Sequence, residues 1–168
     1  MTTTLPEFII SRTFNAPRDV VWKAFTEPEH MQKWYAPKGF TSRAVRQEFR
    51  PGGIYHYCLS SPDGHEMWGK VTYREIVAPE RVVYINAFSD AEAGITRHPM
   101  SATWPLEMHT TCTLTEQNGQ TTLTVKWVPE NATPEEIDTF DKARAGMTQG
   151  WGGTLDNLTE YLANNPQL

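Results

Sequence analysis

The stretch TPEEIDTFDKARAGMTQGWGGTLDNLTEYLANNP, residues 133–166, carries the reading that decides the fold. Thr133 can cap a helix, Pro134 fits a first helical position, and Glu136 completes a capping box. Apolar residues follow at Ile137, Phe140, Met147, Trp151, Leu155, Leu158 and Leu162, with steps of 7, 4, 4, 3 and 4 after the first two. That spacing predicts one long C-terminal helix with an apolar stripe, ended by Asn164-Asn165-Pro166. Its middle holds Gly146, Gly150, Gly152 and Gly153. A mid-helix glycine costs about 1 kcal/mol against alanine, so packing alone does not explain four of them. They point to a close approach of the helix to a sheet or to a bend near Trp151. The alternative is a break here, with Pro134–Ala145 as a separate element.

Upstream, the pattern turns to strands. Thr122-Leu-Thr-Val-Lys-Trp127 alternates strictly, which marks a half-buried antiparallel strand. Asn118-Gly119 is the preferred type I′ pair and sets Leu114 opposite Leu123, Cys112 opposite Val125 and Thr110 opposite Trp127. Ile54–Leu59 and His65–Ile76 flank the loop Ser60-Ser-Pro-Asp-Gly64. Symmetric closure there predicts Leu59 facing His65, Tyr57 facing Met67 and His56 facing Trp68. Strands are also expected over Phe8–Phe14, Ser42–Phe49 and Arg81–Phe88, with Arg50-Pro-Gly-Gly53 and Ala78-Pro-Glu80 as turns. Two short helices follow the first strand. One opens at Pro17 and buries Val20, Val21, Ala24 and Phe25; the other runs from Glu29 to Tyr35 around Met31, Trp34 and Tyr35. Ser89–Pro105 has no clear period yet contains Ile95, Met100 and Trp104. A loop that long is either a lid over a cavity or a packed surface excursion.

Composition narrows the function classes. The chain has 168 residues, with 39% apolar, 21% charged and a net charge of −5, which suits one globular domain over residues 1–168. No apolar run approaches the roughly 18 residues of a membrane span. The start of the chain has no basic and apolar leader, so a cytoplasmic location is expected. The acidic balance argues against general nucleic-acid binding and gives no reason for attraction to anionic membranes. Cys58 and Cys112 form no CxxC and have no histidine at ligand spacing, so two reduced thiols packed in strands are expected, with no metal. Phosphate-binding, dinucleotide and nucleophile-elbow motifs are missing, so no cofactor is expected.

The order of elements resembles the START-like or SRPBCC superfamily. More narrowly, it resembles bacterial homologues of the C-terminal domain of the activator of heat-shock-protein ATPase. The resemblance rests on Phe14-Asn-Ala-Pro17 with Val21-Trp22-Lys-Ala-Phe25, Pro28-Glu-His-Met-Gln-Lys-Trp34, Arg50-Pro-Gly-Gly53 and Pro62-Asp-Gly64. It continues through Gly69 to Pro79-Glu-Arg81, and through Gly150-Trp151 with Leu155, Leu158 and Leu162. The long Ser89–Pro105 loop and the extended Val128–Arg144 segment depart from that pattern and bear on the shape of any cavity mouth. The resemblance implies an α+β helix-grip fold. A curved antiparallel sheet of six or seven strands would wrap around the C-terminal helix, leaving a hydrophobic cavity between them. It does not imply a shared reaction.

The candidate ligand-binding residues are Trp34, Tyr57, His65, Met67, Phe88, Met108, Thr110, Trp127, Met147, Trp151 and Leu155. Most are wide aromatic or adaptable methionine side chains on the expected concave face or helix stripe, where ordinary core packing is the competing role. Tyr57, His65 and Thr110 are the polar members. Among the histidines, His65 would face the cavity, and His56 and His109 would face outward. The leading expectation is noncatalytic binding of a hydrophobic small molecule or lipid. A co-chaperone module that stimulates a heat-shock chaperone ATPase is the second. A polyketide-cyclase-like enzyme with His65 as acid or base is the third.

Overall fold

The computed structural model describes residues 5–168. Eight antiparallel strands form one sheet: β1 (Phe8–Phe14), β2 (Thr41–Gln47), β3 (Ile54–Ser60), β4 (Glu66–Val77), β5 (Arg81–Ser89), β6 (Ile95–Thr96), β7 (Glu107–Gln117) and β8 (Gln120–Glu130). The strand order is β1-β8-β7-β5-β4-β3-β2, with the short β6 pairing β5. Helices α1 (Arg18–Thr26) and α2 (Pro28–Trp34) follow the first strand, and α3 (Pro134–Lys142) and α4 (Arg144–Asn164) end the chain. This is the expected helix-grip arrangement, with one more, very short, strand. Register shifts at Ala44/Arg46 and at Tyr73/Glu75 interrupt two ladders. Bulges of this kind bend a strand and raise its twist.

The β7–β8 hairpin forms in the register set by its turn. Leu114 pairs Leu123, Cys112 pairs Val125 and Thr110 pairs Trp127. Asn118 and Gly119 both take positive φ, 55° and 78°, as a type I′ turn requires. The β3–β4 hairpin differs from expectation by two residues. Leu59 pairs Met67 and Tyr57 pairs Gly69, while His56 pairs Lys70. The Ser61 N–H bonds to the His65 carbonyl at 2.9 Å and the Gly64 N–H to the Ser61 carbonyl at 3.0 Å, which keeps His65 in the loop. An even slip preserves which side chains share a face, so Tyr57, Leu59 and Met67 stay together.

The C-terminal helix is two helices. The chain breaks at Ala143 (φ −95°, ψ 10°), not at the glycines, which lie inside α4. The capping box forms as expected. Glu136 N–H donates to Thr133 Oγ1 at 3.1 Å, and Thr133 N–H donates to Glu136 Oε1 at 2.9 Å. Most of the glycines do not serve close approach, either: a Cβ built on Gly146, Gly150 or Gly152 meets nothing within 4 Å. Gly153 alone among the four has a near neighbour, Lys38 Cβ at 3.4 Å.

The second half of α4 is pinned on both sides. Leu155 and Leu158 are fully buried in the core with Phe14, Val21, Leu114, Leu123 and Val125. Thr154 Oγ1 and Asn157 Nδ2 donate to the Ala36 carbonyl at 3.2 and 3.0 Å. Across the helix, Arg12 of β1 reaches Asp156 at 2.8 Å. No helix of the described residues is long and apolar enough to cross a membrane.

Candidate functional site

Between the sheet, the first half of α4 and the segment after β6 lies a cavity of about 420 Å³, partly open to solvent. Its size falls within the usual range for small-molecule pockets, roughly 300–1,000 Å³. The sheet contributes Tyr57 and Leu59 from β3, Met67 and Gly69 from β4, Asn86 and Phe88 from β5, Met108 from β7 and Trp127 from β8. The helix contributes Gly146, Met147, Gly150, Trp151 and Thr154. Tyr35, Ala36 and Pro37 close one end, and His98, Trp104, Pro105 and Leu106 form a roof.

Local geometry explains how several of these side chains reach the cavity. Tyr35 is the C-cap of α2, where the backbone leaves helical geometry at ψ 79°. Its ring meets Tyr57 edge-on at 5.4 Å and Trp151 at 6.4 Å, and Trp151 in turn meets Trp127 at 5.6 Å. Such edge-to-face contacts add about 0.5–1.5 kcal/mol each beyond area burial. Tyr57 lies across the backbone of Gly69, its cross-strand partner. A Cβ at position 69 would stand 2.3 Å from Tyr57 Cζ, so only glycine fits there without moving the ring.

The roof is a packed excursion that also walls the cavity. β6 pairs with β5, and Thr139 Oγ1 on α3 donates to Thr103 Oγ1 at 2.8 Å. Arg97 donates to Glu136 Oε2, the carboxylate oxygen not used by the capping box. Aromatic contacts run from Phe88 to His98 at 4.8 Å, on to Trp104 at 6.2 Å, and from there to Phe140 at 6.0 Å. Earlier in the same segment, the Asp90 carbonyl lies 3.0 Å from His56 Nε2. His56 alternates with Tyr57 on β3 and so keeps the outward face, but it is covered there, at 4% exposure.

Burial fixes the protonation of the cavity groups. It pushes the Tyr57 phenol up to about 12. Burial first, then the neighbouring Tyr57, pushes Tyr35 well above the usual phenol range. Burial also lowers the His98 pKa, favouring the neutral ring. Charged forms lose solvation in such surroundings, so all three groups are neutral near pH 7.

Of the sequence candidates, the fold brings Tyr57, Met67, Phe88, Met108, Trp127, Met147 and Trp151 to the cavity wall. It places four elsewhere. His65 sits in the β3–β4 loop, 84% exposed at its side chain and 3.5 Å from Asp63, because the slipped register leaves it outside the strand. Trp34 is in the core under α1, donating Nε1–H to the Ala24 carbonyl at 2.8 Å and stacking on Phe25. Leu155 is core. Thr110 is fully buried behind the wall, its hydroxyl donating to Asn86 Oδ1. Sequence reading missed Tyr35, Leu59, Asn86, His98 and Trp104 as wall residues. Leu59 and Asn86 share faces already read as concave, Leu59 with Tyr57, and Asn86 with Phe88 by strand alternation; Tyr35, His98 and Trp104 depend on non-local packing.

Away from the cavity, Glu27, Glu29 and His30 bring ligand-type atoms within 4.8 Å of one another at the start of α2. His30 Nδ1 is already engaged by Tyr161 Oη at 2.7 Å, and Nε2 lies 3.7 Å from Glu27. Carboxylates at this end of a helix are also favoured by its dipole. Cys58 and Cys112 are free and buried in β3 and β7.

Known structures share this architecture. Protein NE0264 from Nitrosomonas europaea superposes with a TM-score of 0.75 at 23% identity, covering 98% of each chain. Protein Ms6760 from Mycobacterium smegmatis gives 0.74 at 21% identity, over 95% of this chain and 96% of that one. The AHSA1 (SPO3351) protein from Silicibacter pomeroyi gives 0.72 at 14% identity, over 95% and 99%. At these identities the likeness is one of fold. No curated protein matches the sequence. The profile of the family described as Activator of Hsp90 ATPase homolog 1-like protein matches residues 15–163. With nearly its whole length matched, the chain belongs to the Activator of Hsp90 ATPase homolog 1-like family.

Proposed function

We propose that the protein binds a hydrophobic small molecule or lipid, without catalysis, in the cavity between the sheet and α4. The observation that carries this reading is the cavity itself, about 420 Å³ with walls made largely of aromatic and methionine side chains. Tyr57, Met67, Phe88, Met108, Trp127, Met147 and Trp151 form the contact surface for the ligand. The cyclase-like alternative loses its proposed acid or base, since His65 stands in solvent outside the cavity.

The test uses Nile red, an uncharged fluorescent probe. Wild type should bind it with enhanced emission. A saturating probe at 100 times its Kd should stabilise the fold by about 2.7 kcal/mol. Gly150 lines the cavity and its Cβ direction is open, so Gly150→Phe adds a ring at the cavity wall. Equal affinity in wild type and in the folded variant would remove the cavity as the binding place.

A second reading is favoured by one surface feature. Ile95, Met100 and Leu106 of the roof segment are exposed at 46%, 88% and 37%. All three lie on one segment, exposed apolar residues there are candidates for an interaction surface, and the family description names an Hsp90 ATPase activator. This reading predicts that the protein stimulates Hsp90 ATP hydrolysis and that Met100→Ser weakens the effect. No stimulation at high protein concentration would end it. A cytoplasmic setting suits both readings.

A further inference from the structure

The composition of the cavity wall sorts ligands by charge. Among the described residues, no aspartate, glutamate, lysine or arginine lines the cavity. Its polar side-chain groups are the Tyr35 and Tyr57 phenols, the Asn86 amide, the His98 ring, the Thr154 hydroxyl and the indole N–H groups of Trp68, Trp104, Trp127 and Trp151. The single Thr154 hydroxyl proton is already committed, shared between the backbone carbonyls of Ala36 and Gly150. The phenols and His98 are held neutral by burial. An ion entering this space would give up its hydration and find no counter-charge.

The Asn86 amide is one wall group held in place by a buried partner. Thr110, fully buried, donates its hydroxyl to Asn86 Oδ1. That bond occupies Oδ1 and leaves the NH₂ as the other end of the amide, on a residue of the cavity wall. The indole N–H of Trp127 lacks an acceptor, but it is fully enclosed by protein and not available to a guest. Asn86 lies on the concave face opposite Met108, between the aromatic walls of β3 and β8.

Resting on the cavity-binding reading, we infer that the ligand is an uncharged aromatic or polycyclic molecule carrying a hydrogen-bond acceptor, a carbonyl above all, which takes an N–H of Asn86. The flat walls of Trp127, Trp151 and Phe88 accept the ring system, and the amide fixes its orientation. Fatty-acid carboxylates and ammonium ligands are selected against.

Four pyrene probes that differ in one substituent test this: 1-acetylpyrene, 1-ethylpyrene, 1-pyrenecarboxylate and 1-pyrenemethylammonium. Their affinities for the intact protein are measured at pH 7 by fluorescence titration. The ketone should bind more than about 10-fold tighter than either ion. It should exceed the ethyl compound about 3–10-fold, the worth of one net hydrogen bond. Asn86→Leu should bring the ketone-to-ethyl ratio close to one. The double variant N86L/T110V removes both partners of the buried bond and gives the same readout if the single variant folds poorly. Carboxylate or ammonium binding equal to that of the ketone overturns the charge selection and leaves the cavity reading standing. A ketone-to-ethyl ratio of one in wild type, or one unchanged by both variants, overturns the role of Asn86. Failure of all four probes to bind overturns the cavity reading together with the inference.

Discussion

The two halves of α4 do opposite work. From Leu155 to Leu162, its inner side chains are sealed: Leu155 and Leu158 are fully buried, and the neighbouring Asp156 and Asn157 side chains tie the helix to β1 and to Ala36. From Arg144 to Gly153, the same helix has no side chain at Gly146 and Gly150 where it borders open space, and Met147 and Trp151 line a cavity. One half supplies stability, and the other leaves volume unfilled. A continuous helix can therefore carry both tasks by changing residue size along its length, without a hinge.

The contrast breaks most sharply at Leu158. Leu158→Ala should cost about 4 kcal/mol in chemical denaturation, since dense surroundings leave a cavity that cannot collapse. Trp151→Ala removes a larger ring but should cost about 3 kcal/mol, because that ring already borders empty space. A larger loss at Trp151 than at Leu158 would mean that the first half of α4 is packed as tightly as the second.

The roof offers an intermediate test. Glu136 is held below the usual carboxylate range, first by the Thr133 N–H and then by Arg97. Its contribution is complete above the unfolded-state value, about 4.3. It is lost as pH falls from there through the lower folded-state pKa. Glu136→Gln keeps the capping geometry but removes the charge that meets Arg97, and should lower stability at pH 7 by about 1 kcal/mol. It should also flatten the acid limb of a melting-temperature profile; an unchanged profile would detach Glu136 from acid sensitivity.

The smallest effect has the opposite sign. Gly150→Ala adds a Cβ that meets nothing within 4 Å and should stabilise the protein by about 1 kcal/mol. Gly153→Ala meets Lys38 at 3.4 Å and should gain less. Equal gains at the two sites would show that Lys38 yields freely.

Much of this was legible in the sequence, for reasons that differ by element. Asn118-Gly119 admits one tight turn, so the register of β7–β8 followed from it residue by residue. The Ser60–Gly64 loop has no such constraint, and hydrogen bonds around Ser61 moved the register by two while leaving the faces intact. The break at Ala143 left no mark in the apolar spacing, because the seven-residue step from Phe140 to Met147 is two helical turns, and the glycines lie beyond it inside α4. Trp34 and Tyr35 are adjacent and both aromatic, yet one enters the core and the other the cavity wall. Their separation depends on where α2 stops, which is set by packing. The roof was readable only as an oddly apolar loop, because its fastenings at Glu136, Thr139 and Phe140 join residues far apart in the chain.

Gly69 has a consequence beyond its own strand. The tilt of the Tyr57 ring is set by an atom that the chain lacks, since the phenol rests where a Cβ would otherwise be. The width of the chamber at that end is thus written at a wall position that has no side chain of its own. A relative with alanine there would keep every wall side chain and still offer a narrower room, its phenol tipped inward. Shape selectivity in this scaffold is then adjustable through the tilt of one ring, by a single methyl group.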